Sequence, residues 1–265
     1  MRVRKIDSPK NLSIKFFSKL KDKKWRKKSN LFLVEGEREV KRAIEAGFKP
    51  STIIVQDGNF VPIYENTARE INVDEFIIVS KSCAEKISIR ENPSEVFGIF
   101  SYPRVKDINQ VKFEKMNICL CILWVEKPGN IGAILRSAEA FGVDIILVSQ
   151  ETDIFNPHII RNSTGAVFNL NIVHTDEKRC IDFLKNFWVV SADPNAKSVL
   201  WEIQPKFPIA LIVGSEDKGI PENFKRISNQ IVKIPMLGKV DSLNVSISSA
   251  LILYEVMKMR MSLNK

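Results

Sequence analysis

The chain has 265 residues, of which 45% are hydrophobic and 27% are charged. These proportions are typical of globular domains and exclude a disordered or coiled-coil protein. The length is sufficient for two domains. The longest apolar runs, Ile118 to Val125 and Ser249 to Val256, are far shorter than the ~20 residues that cross a bilayer, so we expect no membrane partner. The basic N-terminus is not followed by an apolar stretch, so we expect no secretory signal and a cytoplasmic protein.

The cysteines and histidines do not form a recognisable metal-binding pattern. The chain has four cysteines and two histidines, at Cys83, Cys119, Cys121, Cys180, His158 and His174. No two cysteines have the C-x-x-C spacing that zinc sites commonly use. We therefore predict no metal, and we expect the cysteines to be reduced and buried.

The net charge of +9 is concentrated at the N-terminus. Residues 1–30 contain twelve Lys or Arg and two Asp, whereas residues 31–265 contain 28 basic and 29 acidic residues. Such a basic block is either a solvated surface or a binding site for a polyanion. Because a folded domain follows it, we favour nucleic acid as the partner.

Residues 1–104 are predicted to form a basic helical arm and a small α/β sandwich. Ser8-Pro9 is typical of a helix start, and the apolar residues that follow it have helical spacing: Ile14, Phe17 and Leu20. Strands and helices then alternate, which is typical of an α/β domain. The predicted strands are LFLVEG, STIIVQ, EFIIVS and VFGIFSY. Residues 105–116 are predicted to be a linker.

Residues 117–265 are predicted to form a second, larger domain. The predicted strands span residues 118–125, 144–149, 170–173, 187–192, 208–213 and 230–234, and the predicted helices span residues 131–141, 157–163, 176–186 and 243–260. These strands are continuous apolar runs, which indicates burial on both faces of a parallel sheet. The sequence therefore predicts a doubly wound α/β fold, in which ligands bind at the carboxyl ends of the strands.

Three loops follow strands at this predicted edge, and the first loop spans residues 126–136. It reads EKPGNIGAILR and leads into a helix that Asn130 can cap. Arg136 lies one turn after Gly132, which leaves room beside the guanidinium for a phosphate or a ribose. A solvated arginine on a glycine-tolerant helix is the alternative interpretation.

The second loop spans residues 214–221 and reads GSEDKGIP. It matches neither the phosphate-loop nor the dinucleotide pattern, so we predict no nucleoside triphosphate site. Gly214 permits another group to approach the backbone closely, and Glu216 places a carboxylate at the ligand edge. By itself the segment is equally compatible with an ordinary turn.

The third loop spans residues 234–246 and enters a helix whose first half is small or apolar on all sides. Such a helix is buried in a dense core or in a subunit interface. Ser242 and Asn244 precede the helix, and either residue by itself is compatible with a simple capping role.

In this order and spacing, the three loops resemble the motifs of the SpoU/TrmH family of RNA ribose 2′-O-methyltransferases, which belongs to the SPOUT class. The matching segments are PGNIGAILRSAEAFG, IVGSEDKGIP and IPMLGKVDSLNVSISSALILYE, and NPHIIRNSTGAVF is similar to a further family segment. FLVEGEREVKRAIEAG is similar to the start of the family's substrate-binding domain. The departures are Lys127, where the family usually has Asp, Ser248-Ser249 in place of a more alanine-rich pair, and Asn162, where a small residue is common.

The resemblance implies a deep C-terminal trefoil knot, in which the last helix is threaded through a loop and forms the pocket for S-adenosylmethionine. It implies that Gly214, Ile234 and Leu243 contact this cofactor. It assigns activation of the ribose hydroxyl to Arg136. The residues that it implies as shaping the catalytic site are Asn130, Glu216, Ser242 and Asn244.

The resemblance also implies a homodimer that methylates structured RNA with S-adenosylmethionine as cofactor. We expect ribosomal RNA as the substrate, because the N-terminal domain is enlarged. Transfer RNA is one alternative, and an RNA-binding homologue without turnover is another. Because arginine is effectively always protonated, Arg136 is either a demanding proton acceptor or a cation that stabilises the alkoxide or binds phosphate.

Overall fold

The computed structural model describes residues 1–104, 106–204, 206–215, 217–240 and 242–263. The strands are β1 (Arg2–Ile6), β2 (Leu31–Glu35), β3 (Pro50–Gln56), β4 (Glu75–Val79), β5 (Val96–Ser101), β6 (Ile118–Leu123), β7 (Ile145–Ser149), β8 (Ile172–Thr175), β9 (Trp188–Ala192), β10 (Ser198–Val199), β11 (Ile209–Gly214) and β12 (Gln230–Lys233). The α-helices are α1 (Leu12–Lys19), α2 (Lys23–Ser29), α3 (Glu37–Glu45), α4 (Val61–Glu70), α5 (Lys81–Ile87), α6 (Pro128–Ala140), α7 (Pro157–Asn162), α8 (Glu177–Leu184), α9 (Glu222–Ile227) and α10 (Val245–Leu263).

The chain divides into two compact units. The first unit comprises Met1–Arg104 and Asp153–Asn169, and the second comprises Val105–Thr152 and Leu170–Lys265. The sequence-based boundary assigns residues 153–169 to the second domain, whereas in the structure this segment belongs to the first unit.

Aromatic packing explains why residues 153–169 belong to the first unit. The ring centroid of Phe155 lies 4.5 Å from that of Phe32. Asp153 accepts hydrogen bonds from the buried Arg26 at 2.5 Å and from the Tyr102 hydroxyl at 3.0 Å. Burial and the Asp153 carboxylate both raise the pKa of Tyr102, so its hydroxyl stays protonated. These contacts join residues distant in sequence, which alternation of elements along the chain does not reveal.

The first unit contains a mixed sheet of order β1-β4-β3-β5-β2. β4 is parallel to β1 and β3, whereas β5 is antiparallel to β2 and β3. The predicted small α/β domain is therefore present. Its strands are buried by α1 and α5 on one face, where Ile14, Phe17 and Leu20 join the core as the helical spacing predicts.

The predicted arm differs from the observed structure in two ways. Residues 2–6 form the edge strand β1, because its backbone pairs with β4 in parallel register. The helix start predicted at Ser8-Pro9 is wrong, since α1 begins at Leu12. The side chain of Asn11 caps it by accepting the backbone N–H of Ser13 at 2.8 Å.

The second unit contains a sheet of order β10-β12-β9-β11-β6-β7-β8, in which the paired strands are parallel. β6, β7 and β11 are buried along nearly their whole length, which explains their continuous apolar sequences. The prediction of a doubly wound parallel sheet is confirmed. The knot concerns the threading of the chain rather than the strand order, and it stays a prediction.

This strand order brings the three loops to one edge of the sheet. β11 pairs with both β9 and β6, and the last residue of β11, Gly214, is the register partner of Leu123 at the end of β6. Across the described ranges, none of the helices combines the length and the hydrophobicity that a membrane-spanning segment needs.

Candidate functional site

A cavity of about 150 Å³ lies at the carboxyl ends of β9, β11 and β12, and we call it the β11–β12 cavity. Its lining includes Gly214, Ile234, Ser242 and Leu243. The three residues implied as cofactor contacts therefore share one cavity, together with one of the residues implied as shaping the site. The parallel sheet explains this convergence, because it places the ends of β11 and β12 at the same edge.

The backbone of the second loop returns over Gly214. Ser215 and Gly219 form an antiparallel bridge, and Gly219 has a φ of +60°. A Cβ atom on Gly214 would overlap the carbonyl group of Gly219. Glycine at position 214 therefore allows the turn to close over the strand end. Glu216, the implied site residue in this loop, lies outside the described residues.

Asp193 contributes a carboxylate to the β11–β12 cavity, although the sequence analysis did not identify it. Partial burial opposes ionisation of Asp193, but its ion pair with Lys225 and its hydrogen bond from the backbone N–H of Asn195 lower its pKa. The carboxylate is consequently ionised at neutral pH. Its position could have identified Asp193 from the sequence, because it directly follows β9 and lies at the same sheet edge as the three loops.

The first and third loops are joined by a side-chain hydrogen bond. The Nδ2 of Asn244 donates to the Oδ1 of Asn130 at 3.1 Å. The Oδ1 of Asn244 accepts the backbone N–H of Ser246 at 2.9 Å and its hydroxyl at 2.6 Å, so Asn244 also caps α10. The predicted cap role of Asn130 is wrong, since α6 begins at Pro128 and places Asn130 inside its first turn.

Arg136 lies on α6, six residues after Asn130, and its side chain is exposed. Six helical residues span about 9 Å along the helix axis. Arg136 does not belong to the lining of the β11–β12 cavity. The structure thus gathers Asn130, Asn244 and the cavity residues at one edge, and it leaves Arg136 on a surface that a large substrate or a second subunit can reach.

The cysteines at positions 83, 119, 121 and 180 are free and buried. Burial raises the pKa of Cys119. Its hydrogen bond with Cys180 and burial raise the pKa of Cys121. Within the described part of the chain, no group of three His, Cys, Asp or Glu is arranged to hold a metal ion.

Comparison with known families matches both parts of the chain. Residues 117–254 match the SpoU rRNA Methylase family, and residues 11–98 match the MRM3-like substrate binding domain. The chain belongs to the SpoU rRNA methylase family. The family membership expected from the three loops is thereby confirmed. The segment that carries the three loops lies entirely inside the SpoU match.

Relatives of this SpoU methylase cover almost its whole length. The 23S rRNA (guanosine(2553)-2'-O)-methyltransferase RlmP of Bacillus subtilis is 28% identical over 257 residues, which are 96% of this chain and 99% of that protein. A crystal structure of an RNA 2'-O ribose methyltransferase is 34% identical, has a TM-score of 0.87 and covers 97% of this chain and 99% of its own. An AdoMet-bound rRNA methyltransferase from Sinorhizobium meliloti is 26% identical, with a TM-score of 0.88 and coverage of 97% and 98%.

Proposed function

We propose that this SpoU methylase transfers a methyl group from S-adenosylmethionine to a ribose 2′-hydroxyl of ribosomal RNA. One observation carries the proposal: the three family loops converge at one sheet edge. Gly214, Ile234 and Leu243 line one cavity, and Asn244, the residue after Leu243, binds Asn130 of the first loop. The names of the similar proteins, an rRNA methyltransferase among them with AdoMet bound, support the same activity.

The residues of the β11–β12 cavity fit S-adenosylmethionine. Apolar side chains such as Ile234 and Leu243 and the backbone at strand ends suit a neutral purine ring. The ionised Asp193 suits the positive groups of the cofactor, and Gly214 leaves the space that a Cβ would take. When bound, S-adenosylmethionine supplies a methyl group activated by a sulfonium.

The residues of the chain then have to position the ribose and stabilise the charge that develops on its 2′ oxygen. We assign the stabilising role to Arg136, because a guanidinium with a pKa above ~12 holds its charge and is a poor proton acceptor. The proton of the 2′-hydroxyl is released to water, because the guanidinium does not accept it. The bond between Asn130 and Asn244 keeps α6, which carries Arg136, in place against α10. Positioning of this kind is a large part of catalysis for an in-line displacement.

We assign RNA binding to the basic surface of α1 and α2. The ring centroid of Trp25 lies 4.2 Å from the Nζ of Lys19 and 5.4 Å from the Nζ of Lys28. The exposed lysines of this segment are Lys10, Lys15, Lys19, Lys23, Lys24, Lys27 and Lys28. Arg26 does not take part, because it is buried against Asp153. The lysines are suited to phosphate contacts, which supply most of the affinity for RNA backbone.

We further propose that the protein is a homodimer, with α10 in the interface, and that it acts in the cytoplasm. Ile247, Leu251 and Tyr254 form an apolar stripe on α10 that is 51%, 41% and 48% exposed in the single chain. A second copy of the chain would cover this stripe in a two-fold interface. The free cysteines agree with a reducing compartment.

Mass spectrometry of nucleosides tests the function. Ribosomal and transfer RNA from a strain lacking the protein are digested and compared with RNA from the parent strain. We expect one 2′-O-methylnucleoside to disappear from ribosomal RNA and to return when the wild-type gene, but not an Arg136→Ala gene, is restored. Loss from transfer RNA alone would identify that molecule as the substrate, and loss of a base-methylated nucleoside would contradict the proposal. Unchanged RNA together with cofactor binding would indicate a homologue without turnover.

A further inference from the structure

Trp124 directly follows β6, at the sheet edge where the three loops converge. Leu123, the last residue of β6, is the register partner of Gly214, and Gly214 lines the β11–β12 cavity. Neighbouring strands of a sheet lie about 4.8 Å apart. The backbone of Trp124 is therefore one residue beyond a strand position that is paired with the lining of the proposed cofactor cavity.

The side chain of Trp124 lies beside the second loop. The Nζ of Lys218 is 5.9 Å from the centroid of the Trp124 ring, which is near the outer limit for a cation–π contact. Lys218 lies between Ser215 and Gly219, which form the bridge over Gly214 and also line the β11–β12 cavity. One loop thus lines the cavity and carries an exposed lysine next to the indole.

The backbone of Trp124 has a left-handed conformation, with a φ of +55°. The other described non-glycine residues with a positive φ are Asn30, Asn72 and Thr164. Asparagine tolerates this conformation through local hydrogen bonds, whereas a bulky aromatic residue rarely adopts it. Glycine would occupy the position without strain. Tryptophan at position 124 therefore carries a backbone cost, and such strain is concentrated at functional sites.

Burial in the core does not account for the tryptophan. Trp124 is 41% exposed, whereas the next residue, Val125, is 7% exposed. An exposed aromatic ring beside a site for RNA is suited to stack on a base, because every base has a π-face. The exposure, the strained backbone and the position at the edge together indicate a contact with the substrate.

We propose, building on the methyltransferase function above, that Trp124 stacks on an unpaired base of the substrate RNA, at the methylated nucleotide or at one of its two neighbours. The stacked base holds the RNA strand at the ends of β6 and β11, next to the methyl donor. Because the ring contacts the face of the base, Trp124 contributes affinity without selecting among the four bases. The methylated segment is then single-stranded, since recognition of RNA bases by stacking uses unpaired, splayed-out bases.

The experiment measures the Kd of a short single-stranded RNA that spans the nucleotide mapped by mass spectrometry. Three further RNAs carry an abasic site at the mapped nucleotide or at either neighbour. The proteins are wild type, Trp124→Gly, Trp124→Phe, Lys218→Ala and Trp201→Ala, and Trp201 is a control tryptophan that is 66% exposed. Glycine adopts a φ of +55° readily, so Trp124→Gly removes the ring without straining the turn.

For wild type, an abasic site at one of the three positions should raise the Kd about tenfold, a usual contribution of one stacked base. Trp124→Gly should bind the intact RNA about tenfold more weakly and should not respond to that abasic site. Trp124→Phe should recover most of the affinity. Lys218→Ala and Trp201→Ala should still respond to the abasic site. Exchange of the stacked base for any other base should change the Kd by less than about threefold.

Equal responses of wild type and Trp124→Gly to all three abasic sites would overturn this inference. A defect that Lys218→Ala reproduces in full would also overturn it, because Trp124 would then act by holding the second loop. A changed mass of Trp124→Gly in solution would instead place the ring in a subunit interface. Pairing the RNA with its complement should abolish the difference between wild type and Trp124→Gly, and a difference that persists in the duplex would exclude stacking. Each of these contrary results leaves the methyltransferase function standing.

A wild-type protein that methylates neither ribosomal nor transfer RNA would refute the proposed function. Short oligo(U) then replaces the mapped RNA, since stacking does not depend on the identity of the base. Stronger quenching of tryptophan fluorescence and a lower Kd in wild type than in Trp124→Gly would support the stacking contact. Equal quenching and equal Kd would overturn it.

Discussion

The Nδ2 of Asn244 donates to the Oδ1 of Asn130 at 3.1 Å, and this bond joins the start of α10 to the first turn of α6. The two residues are 114 positions apart. Asn244 also caps α10 through Ser246, so a single amide serves both the stability of a helix and the geometry of the site.

The two roles of Asn244 are separable by substitution. Asn244→Ala should lose both roles and lower the free energy of unfolding by about 1 kcal/mol, the usual cost of a lost N-cap. Asn244→Ser should keep the cap but be too short to reach Asn130. We expect both variants to lose methyl transfer at least tenfold, measured by kcat with saturating RNA, and only Ala to lower the thermal midpoint. Full activity of Asn244→Ser would exclude a role for the bond in catalysis.

Arg136→Ala should abolish methyl transfer and leave cofactor affinity within a few-fold, because Arg136 lies outside the lining of the β11–β12 cavity. Because Arg136 is exposed, Arg136→Ala should change the free energy of unfolding by no more than about 0.5 kcal/mol. Calorimetric titration with S-adenosylmethionine and single-turnover methylation measure the two effects. Arg136→Lys should retain part of the rate, since a lysine keeps the charge that we assign to the stabilising role. Undiminished turnover of Arg136→Ala would remove this residue from the mechanism.

Gly214→Ala should disrupt the second loop, because the added Cβ would overlap the backbone of Gly219. We expect a destabilisation of about 1–3 kcal/mol, the usual cost of overpacking, and a loss of cofactor affinity of at least tenfold. Gly129→Ala is the matched control, since the space around Gly129 is open. It should keep both the thermal midpoint and the cofactor affinity. Normal affinity in Gly214→Ala would show that the loop opens without consequence for the cavity.

The ion pair between Asp193 and Lys225 should make stability depend on pH. The pKa of Asp193 is lower in the folded protein than its ordinary value, so the pair stabilises the fold above about pH 4, and this contribution is lost as the pH falls through the folded pKa. Lys225→Met should therefore lower the free energy of unfolding by about 1 kcal/mol at pH 7.

Denaturant unfolding of wild type and Lys225→Met across pH 2.5–7 checks this expectation. The two curves should converge at the acid end, where Asp193 is protonated in both folded proteins. Asp193→Asn should remove the pH-dependent difference between Lys and Met at position 225. A constant difference at all pH values would mean that Lys225 stabilises the fold without Asp193.

Leu251→Glu should convert the proposed dimer into a monomer, because it places a charge in the centre of the apolar stripe of α10. Light scattering gives the mass in solution, and circular dichroism checks the fold. Leu12→Glu is the control, since Leu12 is 82% exposed and lies in α1. A wild-type protein with the mass of one chain and full activity would refute the dimer.

The sequence by itself was sufficient for most elements of the second unit and for its sheet type, although it did not predict β10 or α9. Runs such as Ile145–Ser149 and Ile209–Gly214 are apolar without alternation, because helices cover both of their faces. The residue pattern of these strands therefore predicts their burial. The three loops were likewise sufficient to identify the family. Close backbone approach and polar contacts at a strand end limit which residues can occupy those positions.

Contacts between distant residues were decided only by the tertiary structure. Strand β1 was missed because its basic sequence becomes a strand only when β4 offers an edge for pairing. Residues 153–169 belong to the first unit because Phe155 finds an aromatic core there. Asp193 lines the β11–β12 cavity, and Asn130 binds Asn244 instead of capping its helix, because strand order brings separate loops together. The local sequence pattern predicts which face of an element is buried. Which residues cover that face depends on the whole fold.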